Sequence, residues 1–126
     1  MPAPHTKSPE ADEALSAAFS LIFHKGRSPP SCPVPDDNDL LNRIRDAVPQ
    51  APPKACRDAL VRVRRLSFDV TEVCGAFLQG DYGEGADAKA AALADLETKD
   101  PGFSEAEYFT AFAVGLMWAQ LQQAGT

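Results

Sequence analysis

The fold of this chain is decided by residues 52–79, PPKACRDALVRVRRLSFDVTEVCGAFLQ. Two prolines open the segment, and proline is well tolerated at the first position of a helix. At 100° per residue the apolar side chains share one broad face, and charged side chains occupy the opposite face. The apolar face consists of Cys56, Ala59, Leu60, Val63, Leu66, Val70, Val73, Cys74, Phe77 and Leu78. The segment therefore predicts a long central helix that ends near Gln79.

Proline and glycine divide the rest of the chain into four further helical segments. A proline-rich connector, residues 26–35, separates the first two of them because four prolines exclude a helix there. The last segment opens with Ser104-x-x-Glu107, a capping-box pattern. The segments cover residues 8–25, 36–48, 86–99 and the chain from Ser104 onward. The expected fold is an all-α, irregular bundle of about five helices, with the connector between helices 1 and 2.

The length and the net charge of the chain limit the classes of protein to which it can belong. The chain has 126 residues and a net charge of −6, which suits one domain, residues 8–126, after a flexible tail at residues 1–7. The acidic balance argues against direct binding of nucleic acid, which requires clustered Lys and Arg. Residues 1–10 lack the apolar core of a secretory signal, and residues 109–121 are too few to span a membrane. The sequence predicts a cytoplasmic protein with the alanine-rich composition typical of bacteria.

Residues for catalysis are scarce. The chain contains two histidines, of which His5 lies in the predicted tail and His24 ends a helix, where its cation would complement the helix dipole. The three cysteines are an odd number, and Cys56 and Cys74 point into the predicted core, where a thiol behaves as a small apolar group. Cys32 has no base near it in sequence. We therefore expect reduced thiols and a protein without enzymatic activity.

Metal and cofactor motifs are also missing from the sequence. It contains no CxxC, no HxxxH and no phosphate-binding glycine loop after a strand. The acidic residues Asp81, Glu84 and Asp87 alternate with glycines, but they lack the ligand spacing and the closing glutamate of an EF-hand. The expectation is a solvated acidic turn, with no metal ion and no cofactor.

One stripe on the long helix is not explained by the predicted core. Arg57, Val61, Arg64 and Phe68 follow one another at positions i, i+4, i+7 and i+11, outside the main apolar face. We call these four residues the arginine–aromatic stripe. Apolar side chains bracketed by arginines are typical of the centre of a protein interface. The alternative is that another helix of the same domain covers Val61 and Phe68.

The last helix contains a second candidate surface. Ala111, Gly115 and Ala119 recur at four-residue spacing beside Trp118. Small side chains in such a row allow another helix backbone to approach closely. That helix is either the long helix of residues 52–79 or the same helix of a second copy, in which case the four residues form a homodimer seam.

These patterns favour a small, acidic, non-enzymatic protein that binds another protein, as a regulator, adaptor, inhibitor or immunity-type protein does. Two acidic groups could contact a basic groove on that partner: Asp36, Asp37 and Asp39 in one, and Asp81 and Glu84 in the other. The alternative function is binding of a small molecule or lipid. Its pocket would be lined by Phe77, Phe109, Phe112 and Trp118.

Overall fold

The computed structural model describes residues 9–26 and 37–124, and it describes side chains within residues 12–24 and 38–122. The described residues form five helices and no strand, which confirms the predicted all-α bundle. The helices are α1 (Pro9–Phe19), which continues as π-helix over Ser20–Gly26, α2 (Asp37–Ala47), α3 (Pro53–Leu78), α4 (Gly85–Lys99) and α5 (Glu105–Ala124). The predicted tail and nearly all of the predicted connector lie outside the described residues.

Helix α3 is the centre of the bundle and packs against α1, α2, α4 and α5. Of the predicted apolar face, all residues are buried except Phe77, which is half-buried, and Leu78, which is partly exposed at the helix end. The pattern did not predict that Ser67 and Thr71 would also be buried. Their hydroxyls donate hydrogen bonds to the carbonyls of Arg64 and Ser67, both at 2.7 Å, which offsets the cost of burying them.

Helices α3 and α5 approach each other closely at Gly115. A Cβ atom at this position would lie 3.0 Å from both Cys74 Sγ and Val70 Cγ2, so any side chain there would require these two side chains of α3 to give way. Ala111, Trp118 and Ala119 are buried in the same core. Of the two alternatives for these four residues, the described residues therefore show the internal contact with α3 and not the homodimer seam, because the core of the same chain buries all four.

The turn between α4 and α5 is fastened to α3. The guanidinium of Arg62 donates a hydrogen bond to the Pro101 carbonyl at 3.0 Å and lies 5.5 Å from the centre of the Phe103 ring. Gly102 has a φ of +103°, and a side chain there would overlap Arg62. The predicted capping box follows, since Ser104 N donates to Glu107 Oε1 and Glu107 N donates back to Ser104 Oγ. These contacts position residue 100, at the start of the turn, against the centre of α3.

Candidate functional site

The arginine–aromatic stripe lies on the surface of the bundle. Val61 is 66% exposed and Phe68 is 55% exposed, while Arg57 is exposed and Arg64 half-buried. The helices that pack on α3 contact its other faces, so within the described residues no helix covers this pair. The described residues therefore do not support the alternative interpretation of the stripe, in which another helix of the domain covers Val61 and Phe68.

An open groove begins one turn beyond Phe68, between the C-terminal halves of α3 and α5. It has a volume of about 460 Å³, and its walls include Glu72 and Gln79 of α3 and Gln122 of α5. Its lining also includes Gly75, where an added Cβ would meet no atom within 4 Å. The groove therefore continues the exposed face of α3 toward its C-terminus, and both small and polar side chains line it.

The predicted acidic residues are distributed over separate elements. Asp39 on α2 forms an ion pair with Arg43 at 3.0 Å. Asp81 lines the groove beside Glu72, and Glu84 is exposed at the position preceding α4. Asp36 lies outside the described residues, and Asp37 begins α2 but its side chain is not among those described. Of these acidic residues, the structure places Asp81 next to the exposed face of α3.

A pair of carboxyl groups, Asp69 on α3 and Asp100 after α4, lies where the turn meets the bundle. Asp100 is only 4% exposed, and its Oδ2 has no hydrogen-bond partner among the described residues. Burial, followed by the hydrogen bond to Asp69 and the charge of Asp69, raises the pKa of Asp100 to about 7. Because two ionised carboxylates contain no donor hydrogen, a hydrogen bond between them requires one bound proton.

Two cations lie near this carboxyl pair and oppose the shift. The charges of Arg65 and Lys99 both lower the pKa of Asp100, but by less than burial and Asp69 raise it. The backbone carbonyl of Asp100 accepts a hydrogen bond from the Tyr108 hydroxyl at 2.6 Å, which holds the residue in place. The buried position of Asp100 keeps a substrate away from it, so its proton acts on the stability of the turn.

The aromatic residues proposed to line a ligand pocket do not converge on one cavity. Phe112 and Trp118 are buried and contact other rings, with centroid distances of 5.3 Å both from Phe77 to Phe112 and from Phe23 to Trp118. Phe109 is exposed on another side, 5.6 Å from the ammonium group of Lys89. The rings therefore fill the core or face solvent, and the residues on which the pocket interpretation depended do not support it.

Comparison with known proteins does not indicate a function for this chain. No protein family, curated protein or solved structure matches this chain significantly. Among the described side chains, no three His, Cys, Asp or Glu residues are grouped as they would be around a metal ion. In the same part of the chain, no helix has both the length and the apolar character needed to cross a membrane.

Sequence reasoning missed two parts of this site. The groove residues Glu72, Gly75 and Gln79 continue the spacing of the arginine–aromatic stripe, so extending the same helical count past Phe68 would have found them. The carboxyl pair carries no such signal. Asp69 belongs to a helix and Asp100 to a turn after another helix, and their contact depends on how that turn packs.

Proposed function

We propose that this chain is a non-enzymatic, cytoplasmic protein that acts by binding another protein through the arginine–aromatic stripe. The observation that carries the proposal is the exposure of Val61 and Phe68 on the helix that otherwise forms the centre of the bundle. Regulators, adaptors, inhibitors and immunity-type proteins all work by such surface contact. The missing catalytic and metal motifs in the sequence agree with this class of function.

The physical chemistry of the stripe supports a protein partner. Burying a phenylalanine or valine side chain contributes roughly 1.5–3 kcal/mol relative to leaving it in water, so covering this pair favours association. Arginine beside aromatic and aliphatic side chains is the composition enriched at interface centres, because its planar guanidinium donates several hydrogen bonds at once. Arg57 and Arg64 favour carboxylates around the apolar patch of the partner.

The acidic residues support a second contact with the same partner. Asp81 lies on the groove that continues the stripe, and Glu84 follows it in the loop before α4. A basic segment of the partner would be attracted to this end of α3, in agreement with the basic groove expected from the sequence. The proposed partner surface is thus an apolar patch with acidic groups at one end and basic groups at the other.

The test is a pull-down from a lysate of the native host. Wild-type protein and a Val61→Asp/Phe68→Asp variant are compared, and the retained proteins are identified by mass spectrometry. We expect the variant to lose a partner that the wild type retains, with at least tenfold weaker binding, because two buried apolar contacts become charged. The melting temperature should change little, since both side chains are exposed in the bundle.

Phe109→Asp is the matched control, since Phe109 is an exposed phenylalanine on a different surface. It should retain every partner that the wild type retains. Equal retention by wild type and by the Val61→Asp/Phe68→Asp variant would refute the proposal. So would a large loss of thermal stability in that variant, because it would show that the stripe belongs to the core.

A further inference from the structure

The exposed face of α3 has a two-fold pattern centred on Phe68. Four positions on either side of Phe68 lie Arg64 and Glu72, and seven positions on either side lie Val61 and Gly75. At eleven positions the counterparts are Arg57 and Gln79. We call these seven residues the outer face of α3. When two identical helices pair antiparallel across a two-fold axis, residues equally distant from the axis face each other.

Each pair of counterparts is chemically complementary. Arg64 would face Glu72 of the second copy, which places opposite charges together. Val61 would face Gly75 of the second copy, which places a branched side chain over a position without one. Arg57 would face Gln79 of the second copy, whose amide oxygen accepts hydrogen bonds from a guanidinium. Phe68 would meet its own copy at the axis, where aromatic pairs are favourable.

We propose that the partner bound at the outer face of α3 is a second copy of this chain, with the two α3 helices antiparallel and the two-fold axis at Phe68. The inference rests on the proposed function, since it names the occupant of the same surface. The contacts recur twice in such a dimer, once on each side of the axis.

The glycine at position 75 supports this arrangement. A glycine inside a helix costs about 1 kcal/mol relative to alanine, and none of the described residues requires one here, because an added Cβ would meet no atom within 4 Å. Gly115 is different, since an added Cβ there would lie only 3.0 Å from side-chain atoms of Cys74 and Val70. A close approach by Val61 of the second copy accounts for the absence of a side chain at Gly75.

The distribution of charge supports the antiparallel direction. On the outer face of α3 the basic residues Arg57 and Arg64 lie in the N-terminal half, whereas Glu72 lies in the C-terminal half and Asp81 follows in the next loop. Antiparallel pairing places each basic half against an acidic half, whereas parallel pairing would oppose like charges. Opposite charges at the contact are needed because each copy carries a net charge of −6, so that two copies otherwise repel each other.

A charge exchange tests the pairing directly. Molar mass is measured by light scattering at about 5 to 500 µM, because small interfaces give weak dimers. The proteins compared are wild type, Arg64→Glu, Glu72→Arg and the double variant. The wild-type mass should double with concentration. Each single variant should weaken dimerisation at least tenfold, because like charges then meet twice, and the double variant should restore it. A monomeric wild type, or a double variant as weak as the singles, would overturn the proposal.

Cysteine cross-linking tests the position of the axis. In a Cys32→Ser background, which leaves the buried Cys56 and Cys74, Phe68→Cys should form a disulfide-linked dimer on oxidation because the two copies of residue 68 meet there. Phe109→Cys in the same background is the control and should stay monomeric. Equal cross-linking of the two variants would show random collision and would contradict the proposed axis.

The outcomes separate this inference from the proposed function. If the wild type is monomeric but Val61→Asp/Phe68→Asp still loses a different protein in the pull-down, the second copy is excluded and the proposed function stands. If no dimer forms and the pull-down lanes are identical, both fail. Both are supported by a wild-type dimer that Phe68→Asp abolishes, that each single charge variant weakens and that the double charge variant restores.

Discussion

Gly115→Leu is expected to lower the free energy of unfolding by about 3 kcal/mol or more, since it inserts a large side chain where helices touch. Even the Cβ of the new residue would lie 3.0 Å from Cys74 Sγ and Val70 Cγ2, and both neighbours are buried on α3. The helices α3 and α5 must separate to admit the rest of the side chain. Urea denaturation followed by circular dichroism at low micromolar concentration measures the change.

Gly75→Ala is the matched control for this prediction. It also replaces a helical glycine, but the added Cβ meets no atom within 4 Å, so the variant should be more stable by about 0.5–1 kcal/mol. The opposite signs of the two changes would show that packing, and not helix propensity, decides the residue at position 115. Equal effects of the two substitutions would contradict the close approach of α5 to α3.

Asp100→Asn is expected to increase stability at pH 8 and to flatten the dependence of stability on pH. Folding raises the pKa of the Asp100 carboxyl from 3.8 to about 7, so between these pH values the native state binds a proton that the unfolded state lacks. Stability from this group is therefore full below about pH 4, falls as the pH rises to 7, and is lost above about pH 8. Between pH 5 and pH 8 the wild type should lose roughly 2–3 kcal/mol from this group.

The asparagine variant should not lose stability between about pH 5 and pH 8, because the side chain at position 100 no longer ionises. Its amide is neutral at every pH and carries the donor hydrogens with which the Asp69 carboxylate can bond, as the proton of Asp100 does in the wild type. Urea denaturation of both proteins at several pH values between 5 and 8 gives the comparison, in which the other carboxylates contribute equally. A variant that is destabilised by the same amount at every pH would contradict the proton-sharing pair.

Asp69→Asn provides the control for the pair itself. It removes the negative charge of Asp69, which raises the pKa of Asp100, and it supplies an amide that can donate a hydrogen bond to the ionised Asp100, while the burial of Asp100 is unchanged. The fall in stability should therefore occur at a lower pH than in the wild type. A carboxyl titration of Asp100 by NMR would show the same shift directly. An unchanged midpoint would show that Asp69 does not take part.

The helices could be predicted because their signals are local. The capping box of Ser104 and Glu107 needs only residues within one turn of each other, and both predicted hydrogen bonds are present at 2.9 and 3.1 Å. The apolar face of α3 likewise follows from helical geometry, since 3.6 residues per turn places every side chain at a known angle. Such signals do not depend on which other elements pack nearby.

The candidate sites were harder to predict because they depend on which helices touch. By sequence, the row of Ala111, Gly115 and Ala119 is compatible both with an internal contact and with a homodimer seam, and only the contact of Gly115 with α3 decides between them. The same holds for the aromatic rings, since no periodicity states whether Trp118 faces a cavity or another ring. The structure places it against Phe23 in a filled core.

By itself, the sequence determined the helices, the central place of α3 and the angular position of the arginine–aromatic stripe. Only the tertiary structure decided that Val61 and Phe68 are exposed, that Gly75 lines a groove and that the carboxyl groups of Asp69 and Asp100 interact. The physical reason is the range of the interactions. Helix periodicity and caps act between residues a few positions apart, whereas exposure and a shared proton depend on contacts between distant segments that form only when the bundle packs.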